Sequence, residues 1–335
     1  MIKRNLLFGL FVCVMVFCSC GADDIDYDEP IQIWKYNPSS EYIAVFGDIQ
    51  YLTNTTHNYL FKYSCDWIVA KKHEGMKINS VLQVGDVTQH NKSGHWKSFE
   101  SAVMELSQEI PFISAIGDHD YTWGEDGITI TDRNKTKFSK YLGFPLTNQR
   151  VVDCFEEGHM ENVVVKNTIH GLPIYFLVLE FGPRKEIVEW AGNYVKGHPN
   201  INFILINHEY LEAGGGRRVS GLKCELRFEN SNTTYTTPSQ LWDDLIRRND
   251  NILCVLCGHV GGLYAYTQDK NDFGREVPQI QHNIQSEEFR FDNWLMLWEF
   301  PKENDFVNVS IVNTKSMKYY DGKSVLFKFE YKNCR

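Results

Sequence analysis

Five short apolar runs in this chain each end in an aspartate or a histidine. Tyr42 to Phe46 leads into Gly47-Asp48-Ile49-Gln50, Ser80 to Val84 into Gly85-Asp86, and Phe112 to Ile116 into Gly117-Asp118-His119-Asp120. Asn202 to Ile206 leads into Asn207-His208, and Ile252 to Cys257 into Gly258-His259. Runs of this length, nearly continuous in apolar residues, suit central strands of a sheet covered on both faces. In open α/β sheets ligands gather beyond the carboxyl ends of the strands, so the recurrence directs these side chains toward one place. Four of the five follow a glycine, which allows a sharp backbone departure into a shared pocket. A single Gly-Asp or Gly-His is ordinary turn chemistry. Five in the same relation to a strand are not turns alone.

Helical patterns lie between the runs. Trp96, Phe99, Val103 and Leu106 share one helix face, as do Ile187, Trp190, Ala191 and Val195. Leu241, Trp242, Leu245 and Ile246 repeat the spacing, with Thr237 as N-cap and Pro238 at the first helical position. The alternation predicts an α/β fold, and 335 residues suffice for a substantial core. The net charge is -9 and no basic run exceeds a pair, which weighs against a protein that tracks nucleic-acid phosphates. Aromatic residues make up 14% of the chain; several tryptophans lie on apolar helix faces, so core packing is expected rather than a sugar-stacking surface.

The first residues form a separate object. Lys3 and Arg4 precede an apolar run from Leu6 to Phe17, and Cys18-Ser19-Cys20-Gly21 follows. This is the layout of a signal peptide, too short for a comfortable membrane span, and Phe17-Cys18-Ser19-Cys20 resembles a relaxed bacterial lipobox. The expected division is a lipoprotein signal peptide at 1–19, an acidic tether at 20–38 and one domain at 39–335. A lipid on Cys20 would hold that domain to the cell envelope, at the outer membrane or cell surface. Six cysteines remain beyond it, an even number that permits disulfides without naming pairs. Cys254 and Cys257 form a C-x-x-C inside a strand run, where they face opposite sides; buried packing is expected rather than redox chemistry.

Three aspartates and two histidines with Gln50 nearby make a hard-to-borderline ligand set, suited to one or two divalent ions of Mn, Fe or Zn. Such a set supports hydrolysis of a phosphoester with two metals clamping the phosphoryl oxygens. The ordered series of five motifs resembles the calcineurin-like metallophosphoesterases, over about Glu41 to Thr314. It looks closest to an exported bacterial branch with a Gly-His-x-Gly-Gly final motif, here Gly258-His259-Val260-Gly261-Gly262. Asn283-Ile284-Gln285 before Trp294-Leu295 is also similar to that branch.

The resemblance implies a four-layer αββα sandwich. It implies that Asp48 and Gln50 serve a first metal, that Asp86 bridges, and that Asp118, His208 and His259 hold a second. A metal-bound hydroxide would be the nucleophile. His119, oriented by Asp120, would stabilise the phosphoryl group or protonate the leaving group of a phosphomonoester or phosphodiester. This sequence departs from the pattern with Gln50 where His is common, Asp118 where Asn is usual, and Gly261 where a second His is usual. The last departure keeps open another expectation, a surface binding protein of the same fold that has lost turnover.

Further candidates are weaker. His90 and His95 follow Asp86 closely, His282 precedes Asn283, and Tyr121 and Arg184 are possible substrate contacts. Gly214-Gly215-Gly216-Arg217-Arg218 lacks the arrangement of a nucleotide-binding loop and is expected to form a flexible lip that steers an anion.

Overall fold

Apolar runs become strands where both faces can be covered, and this chain provides covers on two sides. A computed structural model describes residues 33–320 apart from 55, 128, 131, 144–149, 218–234 and 304, together with the strand Val325–Lys328. The signal peptide, Cys20 and its proposed lipid, the acidic stretch to residue 32, Arg218, Cys224 and Cys334 lie outside the described residues.

The chain runs through β1 (Glu41–Phe46), α1 (Asn58–His73), β2 (Lys77–Gln83), α2 (Ser93–Glu109) and β3 (Phe112–Ser114). Next come β4 (Val151–Cys154), β5 (Val163–Val165), β6 (Thr168–Ile169) and β7 (Leu172–Leu179), then α3 (Lys185–Gly197). It continues with β8 (Asn202–Asn207), β9 (Ile252–Cys257), β10 (Tyr264–Lys270) and β11 (Glu276–His282). Three strands follow: β12 (Trp294–Phe300), β13 (Phe306–Asn313) and β14 (Val325–Lys328). One sheet has the order β14-β13-β12-β1-β2-β3; the other has β10-β11-β9-β8-β7-β5-β4, with β6 on β7. Strands β1, β2 and β3 are parallel, and so are β7, β8, β9 and β11.

The period-two alternation of β8 shows how the layers form. Ile204 and Ile206 join an apolar core shared with Ile43, Val45 and Val81 of the other sheet. Phe203 and Leu205 face a second cluster with Ile187, Ala191 and Val195 of α3 and with Leu241, Trp242, Leu245 and Ile246. On the far side, Phe46 of β1 packs on Phe61 of α1 at 5.1 Å, and Phe112 of β3 on Phe99 of α2 at 5.4 Å. Helices therefore cover the outer face of each sheet, giving the expected four-layer α/β sandwich.

The helical faces read from the sequence are buried except Trp190, which is partly exposed. Thr237 accepts from the Gln240 amide in a capping box with Pro238 at the start, and the short helix continues as a π-helical stretch from Trp242 to Ile246. Cys254 belongs to the inter-sheet core and Cys257 to the helix-side cluster, so the pair packs rather than reacts. The expected tether also contains folded chain: Trp34 is buried against Trp67 at 5.7 Å and its amide donates to Met317. Among the described residues no helix is long and apolar enough to cross a membrane.

Phe99 is fully buried and joins Phe61, Trp96 and Phe112 across the helix–sheet interface. Phe99→Ala is expected to cost about 4 kcal/mol, measured by urea unfolding.

Candidate metal centre

Asp48, Asp86 and Asp118 follow three parallel strands of one sheet, and His208 and His259 follow two parallel strands of the other. The sheets bring four of these five together: single ligand atoms of Asp86, Asp118, His208 and His259 all lie within 4.8 Å of one another, and all four residues are buried. His208 Nδ1 donates to the Val84 carbonyl at 2.8 Å, which fixes the tautomer and turns the Nε2 lone pair inward. That Nε2 faces Asp86 Oδ1 at 3.3 Å and Asp118 Oδ1 at 3.4 Å, without hydrogen-bond geometry to either. His259 Nδ1 lies 3.1 Å from Asp118 Oδ1. Two carboxylates and two imidazoles converging this closely in a dry site form a donor set that fits one divalent ion.

The glycines preceding the ligands work chiefly by lacking a side chain. A Cβ on Gly117 would overlap the Asp86 carboxylate, and one on Gly258 would overlap that of Asp48. Gly85 needs both freedoms, with φ of +107° and a Cβ that would strike the His208 ring. The ligands themselves carry strain: Asp86 and His259 hold φ of 58° and 78°, values that non-glycine residues rarely adopt and that cluster at functional sites.

Charge dominates the centre. Burial opposes the ionised form of Asp86, but His208, His119 and His259 outweigh it and hold the carboxyl well below the usual range. Burial likewise opposes protonation of His208, yet Asp86 and Asp48 lift it to about 10. Asp48 is pushed up by burial, with Asp86 and Asp120 adding to the effect of burial. Asp120 is raised to about 7 by burial and by Asp86, against the backbone amides that donate to it.

The other expected site residues fall around this core. Asp48 Oδ2 accepts from the His259 amide at 2.9 Å, and Gln50 Nε2 donates to Asp86 Oδ2 at 3.1 Å. His119 points its Nε2 toward Asp118 Oδ2 at 3.7 Å. Asp120 does not orient that ring: its carboxylate accepts from the Val87, Thr88 and Gly117 amides and the Thr88 hydroxyl. The ring is instead fixed by aromatic neighbours, with His90 at 5.3 Å and Trp123 at 4.5 Å. His95 accepts from the Gln89 amide, and His282 is buried with its Nδ1 on the Leu263 carbonyl, held down at about 4 by burial.

Three suggested substrate contacts have other partners. Tyr121 is buried in the core, and Arg184 is tied to Glu180 at 2.9 Å. Arg217, the expected steering residue of the glycine-rich lip, pairs with Asp269 and lies over Trp242 at 4.4 Å.

Gln285, marked in the sequence only as part of the Asn283-Ile284-Gln285 resemblance, and Glu209 also reach the site. Gln285 Nε2 donates to Asp48 Oδ2 at 2.7 Å and to Asp86 Oδ2 at 3.0 Å. Glu209 places Oε1 3.6 Å from His259 Nε2. Glu209 directly follows His208, so adjacency was its only signal. Gln285 follows β11, whose polar alternation gives no continuous apolar run to mark a central strand.

No family model matches the chain. The uncharacterized protein YvnB of Bacillus subtilis is 24% identical over 292 residues, 82% of this chain but 20% of that protein, so the chain spans about a fifth of its relative. A 5'-nucleotidase from Candida albicans superposes with a TM-score of 0.45 at 11% identity, covering 86% of this chain and 54% of the other. A predicted phosphoesterase from Streptococcus pneumoniae gives 0.34 at 12%, covering 86% and 98%. The NAD nucleotidase of Haemophilus influenzae gives 0.35 at 10%, covering 87% and 50%. All three scores are below 0.5, so these likenesses carry no functional inference.

The charge balance predicts a pH dependence. His208 is raised to about 10 in the fold from an ordinary 6.5, so its contribution to stability is complete below about 6.5 and is lost as pH rises through about 10. Metal-stripped protein should lose thermal stability across that window, read by calorimetry. Metal should reverse the slope, because ligation requires the deprotonated imidazole.

Proposed function

We propose that this chain is a metal-dependent phosphoesterase, cleaving a phosphomonoester or phosphodiester. The observation that carries this reading is the buried meeting of Asp86, Asp118, His208 and His259 within 4.8 Å. A bound Mn, Fe or Zn ion would polarise a phosphoryl oxygen and lower the pKa of a coordinated water. The chain's own residues supply the rest. Asp86 and Asp118 offer carboxylate oxygens, and His208 offers a lone pair held in place by the Val84 carbonyl.

His119 is the proton-handling residue of this reading. Its amide donates to Asp86 Oδ1 at 3.0 Å, which ties the residue to the ligand set, while its ring stands over Trp123 with the side chain 16% exposed. That partial exposure suits a group that meets a substrate oxygen at the rim and passes a proton from Nε2 to the departing alkoxide. Asp120 acts through the backbone, holding the turns at Val87–Thr88 and Gly117 in the positions that aim Asp86 and Asp118.

The proposed setting is the bacterial cell envelope outside the cytoplasm, with the domain anchored by lipid at Cys20. The motive is the charged, apolar and small-residue order of the first twenty residues. No nucleic-acid partner is proposed beyond a possible substrate.

The test is hydrolysis by the full chain, stripped of metal and then given Mn²⁺, Zn²⁺ or Fe²⁺, on p-nitrophenyl phosphate and bis-p-nitrophenyl phosphate. Turnover should require metal and vanish in Asp86→Ala. His119→Ala should lower kcat by about 10²–10⁴-fold with a small change in KM, most with poor leaving groups. Folded, metal-loaded protein without turnover on either substrate would replace the enzyme by a binding protein. Gly261 motivates that reading, since it offers no side-chain ligand where the resemblance implies a second histidine.

A further inference from the structure

We propose that this chain binds a single metal ion, at Asp86, Asp118, His208 and His259, and that the carboxamide of Gln285 replaces a second cation between Asp48 and Asp86. The inference rests on the metal-centre reading above and narrows it.

The two oxygens of Asp86 have different duties. Oδ1 faces His208 Nε2 at 3.3 Å, on the side where the four ligands converge. Oδ2 points away and accepts two amide donors, Gln50 Nε2 at 3.1 Å and Gln285 Nε2 at 3.0 Å. The same Gln285 nitrogen donates to Asp48 Oδ2 at 2.7 Å, so one NH₂ group spans the two carboxylates. Those are the oxygens that would flank a second cation. The nitrogen assignment follows from the network, because an amide oxygen at those distances would confront two carboxylate oxygens.

Asp48 has little left to offer. Its carboxylate also accepts the His259 backbone amide, at 2.9 and 3.3 Å. A further ligand from the final motif is excluded by shape as well as by sequence. Gly261 has φ of +93°, and a Cβ there would lie 2.7 Å from Ala213 Cα and 3.2 Å from Gln281 Nε2. Any side chain at 261 would have to displace backbone. The position between Asp48 and Asp86 is thus taken by amide donors, while single ligand atoms of Asp86, Asp118, His208 and His259 converge on another point.

Metal counting tests this with the full chain. Stripped protein is saturated with Mn²⁺ and desalted, the metal per chain is measured by inductively coupled plasma mass spectrometry, and the Mn²⁺ resonance spectrum is recorded. The expected result is one ion per chain with the six-line signal of an isolated ion. Gln285→Glu keeps the side chain's size, removes the donors and adds a third carboxylate; it should raise the count to two, with an exchange-coupled spectrum. Two ions in the unaltered chain would overturn the inference and leave the metal centre standing. No bound ion at all would overturn the metal centre itself. A count of one in folded Gln285→Glu would remove Gln285 from the explanation, and if that variant fails to fold, the spectrum of the unaltered chain decides alone.

Discussion

Buried negative charge is the constraint on which the rest of this structure depends. Asp48, Asp86, Asp118 and Asp120 are 0–1% exposed and lie on neighbouring turns at one end of one sheet. A carboxylate removed from water is costly unless it is paired or well hydrogen-bonded, and each of these is answered differently. Asp120 is met by three backbone amides and a hydroxyl, which makes it a structural brace. Asp48 is met by the His259 amide and Gln285. Asp86 and Asp118 turn oxygens toward two imidazoles, and that pairing across the sheets is where chemistry is available.

This division explains why the sandwich matters to the site. One sheet supplies carboxylates and the other imidazoles, so the centre exists only while the inter-sheet core holds both sets of strand ends in register. The backbone strain at Asp86 and His259 is tolerable for the same reason, since it sits between well-packed strands that over-determine the turns. Aromatic packing extends the control outward. Phe181 lies 5.9 Å from the His208 ring and 5.7 Å from the His259 ring, while Trp123 and His90 stack on each other at 4.0 Å and both border the His119 ring.

What could be read from the sequence followed from how strongly each signal was tied to burial. Strands β1, β2, β8 and β9 are apolar on both faces, so their ends and the residues just beyond were visible as a pattern. Strand β11 is equally central in its sheet, parallel to β9, but buries Gln279, Gln281 and His282; Gln285, three residues beyond its end, is marked in the sequence only by the Asn283-Ile284-Gln285 resemblance and without a role. The sequence marks the glycines for their conformational freedom, whereas at Gly117 and Gly258 the need is for empty space beside a carboxylate of the neighbouring strand and of the other sheet, respectively. That requirement is tertiary and leaves no local trace. The resemblance implies that Asp120 orients His119; the short 3₁₀ turn of Asp118–Asp120 sends its carboxylate back to the backbone instead. Trp34 was lost to an acidic stretch for a similar reason, because nothing local announces that it packs against Trp67.

Asp118 and Gln285 act on the charge of the site in the same direction. A carboxylate at Asp118, where an amide would be neutral, adds negative charge directly beside His208 and His259. A carboxamide at Gln285, where a cation would bring two positive charges, answers Asp48 and Asp86 with N–H dipoles and adds no net charge. Both leave more negative charge around the convergent ligands, which favours holding a divalent ion and disfavours an approaching phosphate anion. His119 borders these ligands, 3.7 Å from Asp118, with an amide bonded to Asp86 and a ring beside Trp123. On the proposed reading, the chemistry of this centre would be shared between one ion and the His119 imidazole, with amide donors answering the remaining carboxylates.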